Sequence, residues 1–257
     1  MSYFFKTDKG LVRPLNEDST SIFEFNDGGI LLLVLDGMGG HLKGDVASSM
    51  GLTSILEDVQ TFSDSFAHHK KREHSFLGKK ISYHKRKKLL IKAIKRANKK
   101  INVLGSSDIA YYEMGTTCIA CYIYEDKVFL INVGDSRCYS YTENSLNQLS
   151  VDQTYVQFLY QTGKIKKEEM ATHPKKHVLM NALGTYPSVI MDKKIFKKDM
   201  KKLMLCSDGL YNMVDEEKIK KVLSLDKTTK EKVELLIDLA NEQGGKDNIA
   251  VALWEED

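Results

Sequence analysis

The 257-residue chain carries 38 Lys/Arg against 35 Asp/Glu, with 42% hydrophobic and 28% charged residues. That balance excludes disordered and fibrous classes and fits a globular protein large enough for a sizeable core. No apolar run approaches the roughly 18–20 residues of a membrane span, and Met1–Leu11 lacks the core of a secretion signal, so a cytoplasmic protein without a membrane partner is expected. The net charge of +3 hides an asymmetry. Between His68 and Lys100 stand 14 Lys/Arg and one acid, which leaves −10 on the remainder.

Thr20–Phe25 and Ile30–Leu35 flank Asn26-Asp27-Gly28-Gly29 and predict a hairpin. The second strand is fully apolar until it stops at Asp36, followed by glycines at 37, 39 and 40. From Asp45 to Thr61, Leu52, Ile55, Leu56 and Val59 recur at helical spacing. Phe62–Lys88 has little periodicity and fits either a loop or a helix extension. Leu90, Ala93, Ile94, Ala97, Ile101 and Leu104 mark a second helix. A hairpin about Glu125-Asp126 joins Met114–Tyr124 to Lys127–Val133, and Arg137–Tyr141 continues as a strand. Asp152 is expected to cap a short helix through Tyr160, with another ending near Thr172. Leu203–Cys206 is a short strand. Asp215 opens a helix to Leu223, and Thr228 with Glu231 forms a capping box for a longer helix that Gly244-Gly245 ends. Ile249–Trp254 is a closing strand. Hairpins with helices in blocks favour antiparallel sheets covered by helices, an α+β fold, over a doubly wound parallel sheet. The cysteines at 118, 121, 138 and 206 all fall in strands. In a strand the two of the CxxC point to opposite faces, so they are core residues and not a zinc or redox pair.

Four aspartates stand at strand ends: Asp36, Asp135, Asp208 and Asp247, each next to or within two residues of a glycine. Singly, each is a turn residue or a cap. Jointly, they can converge on one rim of a sheet, where like charges need a positive partner. Oxygen-only ligands select hard divalent cations, and no EF-hand spacing is present. Asn16-Glu17-Asp18 adds two acids with Arg13 just upstream. An Arg suits a phosphate, although Arg13 with Glu17 or Asp18 would equally make a surface ion pair. Carboxylate-bound metals with a phosphate-gripping Arg suggest phosphoryl chemistry. No P-loop, GxSxG or HExxH pattern competes.

The chain resembles the metal-dependent serine/threonine protein phosphatases (PPM, type 2C) in their bacterial form. The matching motifs run in order through nearly the whole chain: Gly10-Leu11-Val12-Arg13 with Asn16-Glu17-Asp18, Asp36-Gly37-Met38-Gly39-Gly40-His41 with Gly44, and Gly115-Thr116-Thr117. They continue with Asn132-Val133-Gly134-Asp135-Ser136-Arg137, Ala182-Leu183-Gly184, Ser207-Asp208-Gly209 and Gly245-Lys246-Asp247-Asn248. The resemblance implies a central β-sandwich of two antiparallel sheets flanked by helices on both outer faces. Residues 1–257 would form a single phosphatase domain, with a basic segment at about 62–104 and a flap at about 150–190.

By the same resemblance, Asp36 bridges two Mn²⁺ or Mg²⁺ ions, one of which the Gly37 carbonyl joins. Asp208 and Asp247 complete the second, and Asp135 with Asp208 takes a third. Glu17 holds a metal-bound water with Asp18 in support, and Arg13 holds the substrate phosphate. Asn248 is a supporting position, and Gly184 closes the flap that begins near Asp152. The implied activity is hydrolysis of phosphoserine and phosphothreonine in proteins by direct attack of metal-bound hydroxide. The protein would be a monomer, opposing a Ser/Thr kinase and acting on its phosphoprotein products, with no nucleic-acid partner.

The chain departs from the family pattern at several points. Met38 stands where animal members place a His that protonates the leaving group. Asp152-Gln153-Thr154 replaces Asp-His-Ser, Asn181 replaces an Arg, and Asn212 replaces an extra metal-binding Asp. His41 is expected to pack a loop. Two rival readings are a nucleic-acid binder working through 68–100, which lacks aromatic interleaving, and an inactive regulatory relative, which the intact acidic set opposes.

Overall fold

The computed structural model describes residues 1–26, 28–39, 43–72, 82–143 and 145–256, with the backbone alone for 66–72. In chain order the strands are β1 Ser2–Asp8, β2 Asp18–Glu24, β3 Ile30–Met38, β4 Gly115–Thr116, β5 Cys118–Tyr124, β6 Lys127–Val133, β7 Arg137–Thr142, β8 Ser145–Gln148, β9 Asp192–Lys197, β10 Lys202–Cys206 and β11 Ile249–Glu255. The helices are α1 Gly44–Arg72, α2 Tyr83–Ser107, α3 Tyr155–Gln161, α4 Lys167–Met170, α5 Asp208–Tyr211, α6 Glu216–Ser224 and α7 Thr229–Glu242.

Period-two alternation in β3 decides how the layers stack. Ile30, Leu32 and Val34 point into a core shared with Ile119, Cys121, Leu130, Leu205, Ala252 and Trp254, which lies between two sheets. Leu31, Leu33 and Leu35 point the other way, into a core formed with Ile55, Val59, Leu90, Ala97 and Ile101 of α1 and α2. A third core packs Met204, Cys206, Val251 and Leu253 against Ile219, Val222, Leu236 and Ile237 of α6 and α7. Cys118 and Cys121 fall in different cores, as strand alternation requires.

One sheet has the order β1-β11-β10-β7-β8 and the other β2-β3-β5-β6-β9, with β4 beside β3. Every strand pair is antiparallel. The fold is therefore an α+β sandwich of two antiparallel sheets with helix pairs outside.

Local chemistry follows the sequence at most element ends. Asp215 caps α6 by accepting from the Lys218 amide at 2.8 Å, and Thr228 with Glu231 forms the capping box of α7. The Asn26–Gly29 turn joins β2 to β3, with Asp27 outside the described residues, and the Phe25 amide donates to the Gly29 carbonyl at 2.7 Å. The helix predicted to end near Thr61 extends to Arg72, and α2 begins at Tyr83. One expectation fails. Asp152 does not cap α3; Thr154 does, accepting from the Gln157 amide at 3.3 Å. Asp152 instead pairs with Arg137, a charge that outcompetes a neutral amide for a carboxylate.

Candidate active site

Strand register brings the acids to one end of the sandwich. Asp18 at the start of β2 lies directly opposite Asp36 near the end of β3. In the facing sheet, Cys206 pairs with both Val251 and Arg137, which places Asp208, Asp247 and Asp135 at the same end. Asp36 continues the Ile30-Leu32-Val34 face, so its carboxylate points between the sheets.

Neighbouring side chains fix the segments that carry these acids. The Asp36 amide donates to Thr117 Oγ1 at 2.9 Å, and its carbonyl accepts from Thr116 Oγ1 at 2.9 Å. Ser207 Oγ donates to Asp18 Oδ2 at 2.6 Å and accepts from the Ala250 amide, tying the two sheets together. Asn212 donates to Asp208 Oδ2 at 3.1 Å. Tyr211 Oη donates to the Asp135 carbonyl at 3.1 Å. Buried Asn248 donates to the Lys9 and Leu15 carbonyls and accepts from the Glu17 amide, each at 2.8 Å, so it fixes the Lys9–Glu17 loop against β11. Glu17 Oε1 in turn accepts from the Gly44 amide at 3.3 Å, at the start of α1.

Glycine is required at two of these positions. A Cβ on Gly37 would lie 2.1 Å from the Gly44 carbonyl oxygen and 2.6 Å from that of Glu17. Gly184 has φ +90°, and a Cβ there would strike Ile101 Cγ2 at 2.2 Å. Gly184 thus sits pressed against α2, where its amide donates to Asn98 Oδ1 at 2.9 Å and its carbonyl accepts from Asn102 Nδ2 at 2.9 Å.

The electrostatics are unbalanced. Burial, then the charges of Asp18, Asp208, Asp135 and Asp247, push Asp36 well above the ordinary carboxylate range. Burial does the same to Asp18, against the Ser207 bond that lowers it. Burial and Asp208 push Asp135 up to about 7, and burial with Asp247 pushes Asp208 up to about 6. Glu17 is raised as well, mainly by burial. Against these acids stands Arg13, whose Nη2 donates to Asp247 Oδ2 at 2.7 Å. Arg13 therefore does not make the surface ion pair with Glu17 or Asp18 that is the alternative to phosphate binding; its partner is Asp247. Arg137 is committed elsewhere, bidentate to Asp152 and 3.7 Å from the centre of the Tyr211 ring.

Among the described residues, no three His, Cys, Asp or Glu side chains form a ready-made cage for an ion. Arg13 occupies one of the carboxylates, that of Asp247. The donor chemistry nonetheless fits a hard divalent cation. The donors are all oxygen, they come from separate segments, and burial with neighbouring carboxylates raises the proton affinity of Asp36, Asp135 and Asp208. His41 lies outside the described residues.

Sequence reasoning missed the roles of Ser207, Tyr211 and Arg137. Ser207 and Arg137 flank motif aspartates, which was the available signal; Tyr211 had none. The departures at 153 and 181 turn out to be partners. Asn181 Nδ2 donates to Gln153 Oε1 at 2.6 Å, and that same oxygen accepts from the Gly134 amide at 2.9 Å, next to Asp135.

Residues 13–251 match the Protein phosphatase 2C family. The chain is 38% identical to the serine/threonine phosphatase stp of Listeria monocytogenes, over 98% of this chain and 95% of that protein. Its structure is similar to that of the S. agalactiae serine/threonine phosphatase, with TM-score 0.86, 33% identity and 99% of each chain covered. It also resembles the catalytic domain of serine threonine protein phosphatase PstP in complex with two manganese ions, with TM-score 0.76, 30% identity, and 98% of this chain and 96% of that one covered. The sandwich with its acidic end is thus the architecture of a metal-dependent hydrolase. The chain belongs to the protein phosphatase 2C family, the metal-dependent serine/threonine protein phosphatases, in its bacterial form.

Proposed function

We propose that the acidic end of the sandwich removes phosphate from phosphoserine and phosphothreonine in phosphoproteins, the products of an opposing Ser/Thr kinase. One observation supports the placement: strand register brings carboxylates from separate segments to one end of the sandwich, where Arg13 binds one of them. Asp36, Asp208, Asp247 and the Gly37 carbonyl would hold two Mn²⁺ or Mg²⁺ ions, and Asp135 with Asp208 a third. Such ions supply Lewis acidity and a lowered water pKa when bound.

The remaining roles belong to the chain itself. Arg13 would leave Asp247 and clamp the phosphate oxygens with its planar fork, fixing the phosphorus in line. Glu17, held by the Gly44 amide, would accept a hydrogen bond from water at the site. Asp18, beneath it and held by Ser207, would support that geometry. Asn248 keeps the Arg13–Glu17 loop in place. Met38 offers no proton to the leaving oxygen.

The segment from about 150 to 190 would act as a flap within a single phosphatase domain spanning 1–257, anchored where Gly184 meets α2. Among the described residues no helix is long and apolar enough to cross a membrane. A cytoplasmic monomer is the setting we propose.

Asp208→Asn tests the reading. Hydrolysis of p-nitrophenyl phosphate should disappear while circular dichroism stays near wild type, and excess chelator should silence the wild type reversibly. Full turnover after either treatment overturns the site.

A further inference from the structure

α2 carries charge where helix electrostatics disfavours it. Its first turn holds no acidic residue and its last turn no basic one, the opposite of what the backbone dipole rewards. Lys85, Lys88, Lys92, Lys95 and Lys99 recur at alternating steps of three and four, which stacks them on one face. All five are exposed, and none forms an ion pair among the described residues. The opposite face, Leu90, Ala93, Ile94, Ala97 and Ile101, is buried. Neighbouring cations behave differently. Arg96 binds Asp58 at 2.7 Å, Lys100 binds Glu57 at 3.1 Å, and Lys87 lies over the rings of Tyr83 and Phe129. Among the described residues of α2, the stripe has no such partner.

The stripe runs into a groove. α1 and α2 pack antiparallel, and between them opens a cleft of about 840 Å³. Lys99 lines it, together with Val46 and Met50 of α1 and Val103 and Leu104 of α2. Val103 follows Lys99 by one turn and is 54% exposed, so the face changes from cationic to apolar without a break. Val46 stands two residues past Gly44, whose amide holds Glu17. A lysine face about 21 Å long therefore turns apolar in a groove whose other wall includes Val46, two residues from the Gly44 amide that holds Glu17.

We infer that this surface docks an acidic, amphipathic segment of the phosphoprotein substrate. Its carboxylates lie along the stripe, an apolar side chain seats among Val46, Met50, Val103 and Leu104, and the phosphorylated residue reaches the rim. The inference rests on the phosphatase reading above and deepens it. Charge complementarity selects the occupant, since lysines are point charges on flexible stems that match spaced carboxylates. Single-stranded nucleic acid would be held with aromatic stacking, and no aromatic residue interleaves Lys85–Lys99. A membrane surface would need bulky apolar side chains on the charged helix, where the stripe ends in one valine.

The test uses the full chain. Fluorescence anisotropy follows a labelled, unphosphorylated peptide of Glu and Asp with one central Leu, and turnover compares phosphopeptides with acidic and neutral tails. Wild type should bind the acidic peptide in a salt-sensitive manner and favour the acidic-tailed substrate by about tenfold, through KM and not kcat. The triple variant Lys92→Glu, Lys95→Glu, Lys99→Glu should lose both effects and keep p-nitrophenyl phosphate turnover and thermal midpoint. Val103→Asp should weaken the peptide alone. Equal binding by wild type and triple variant overturns the dock, as does displacement of the peptide by duplex DNA or phosphatidylglycerol vesicles more effectively than by unlabelled peptide. Loss of p-nitrophenyl phosphate hydrolysis in the wild type would instead overturn the phosphatase site, with the anisotropy still reporting on the stripe.

Discussion

The two ends of the β10–β11 pair carry buried charge in opposite ways. At one end Asp208 follows β10 and Asp247 precedes β11; at the other Lys202 opens β10 and Glu255 closes β11. At the far end every one of these charges has a partner inside the chain. Glu255 accepts from Lys232 Nζ at 2.9 and 3.0 Å and pairs with Lys202 at 3.2 Å, and Lys202 also donates to the Leu223 carbonyl at 2.6 Å. Lys232 is only 2% exposed, and burial with the neighbouring Lys232 ammonium pulls the Lys202 pKa down. At the rim, Asp18, Asp36, Asp135, Asp208 and Asp247 crowd together, and among the described residues only Arg13 and the Asp152-bound Arg137 oppose them. Where a chain pairs its own buried charges, the cluster is part of the scaffold. Where it leaves the charge standing, the neutralising group comes from outside.

Four measurements sharpen or break that contrast. The largest effect is expected at the rim. Asp36→Asn should cost about 10³-fold or more in p-nitrophenyl phosphate turnover. It should also raise the thermal midpoint of the metal-free protein, because a repelled carboxylate is gone; steady-state kinetics and calorimetry read the two. The reverse is expected at the far end. Glu255→Ala strands Lys232 in the interior, and urea unfolding should show a loss of about 3–5 kcal/mol with turnover per folded molecule unchanged. A loss of turnover without a loss of stability there would erase the distinction.

The third effect is a pH slope. Asp135 at about 7 and Asp208 at about 6 lie above the ordinary carboxylate value near 4. Between about pH 4 and 7 the folded state then binds more protons than the unfolded one, so metal-free stability falls as pH rises through that window. The thermal midpoint should be higher near pH 5 than near pH 7.5 by several degrees, and Mn²⁺ should flatten or invert the trend. A midpoint that climbs with pH in chelator would contradict the crowding. The smallest effect belongs to the partly exposed pair of Lys198 with Glu256 at 2.8 Å. Glu256→Gln should change stability by less than about 1 kcal/mol in urea.

Much of this was legible in the sequence where one residue's pattern is enough. The apolar run ending at Asp36, the capped helices α6 and α7, and the hairpins all follow from local chemistry. What escaped lay at sheet edges. β1, β8 and β9 are half exposed, and β9 reads Asp192-Lys193-Lys194-Ile195-Phe196-Lys197. Edge strands carry lysines and weak alternation because one side of their backbone faces no neighbour. Long-range charge pairing escaped too. Arg13 finds Asp247 across 234 positions, and Asp152 serves Arg137 instead of the helix beside it. No window of sequence weighs a distant carboxylate against a near one.

The placement of β11 between β1 and β10 bears on how the protein is made. During vectorial synthesis β1 and β10 leave the ribosome with no partner strand between them, and their shared sheet stays split until residues 249–255 emerge. Asp247 arrives with that strand. A nascent chain with both helices of the α1–α2 pair and the whole second sheet in place would still lack Asp247, so the acidic rim is complete only once β11 has joined its sheet.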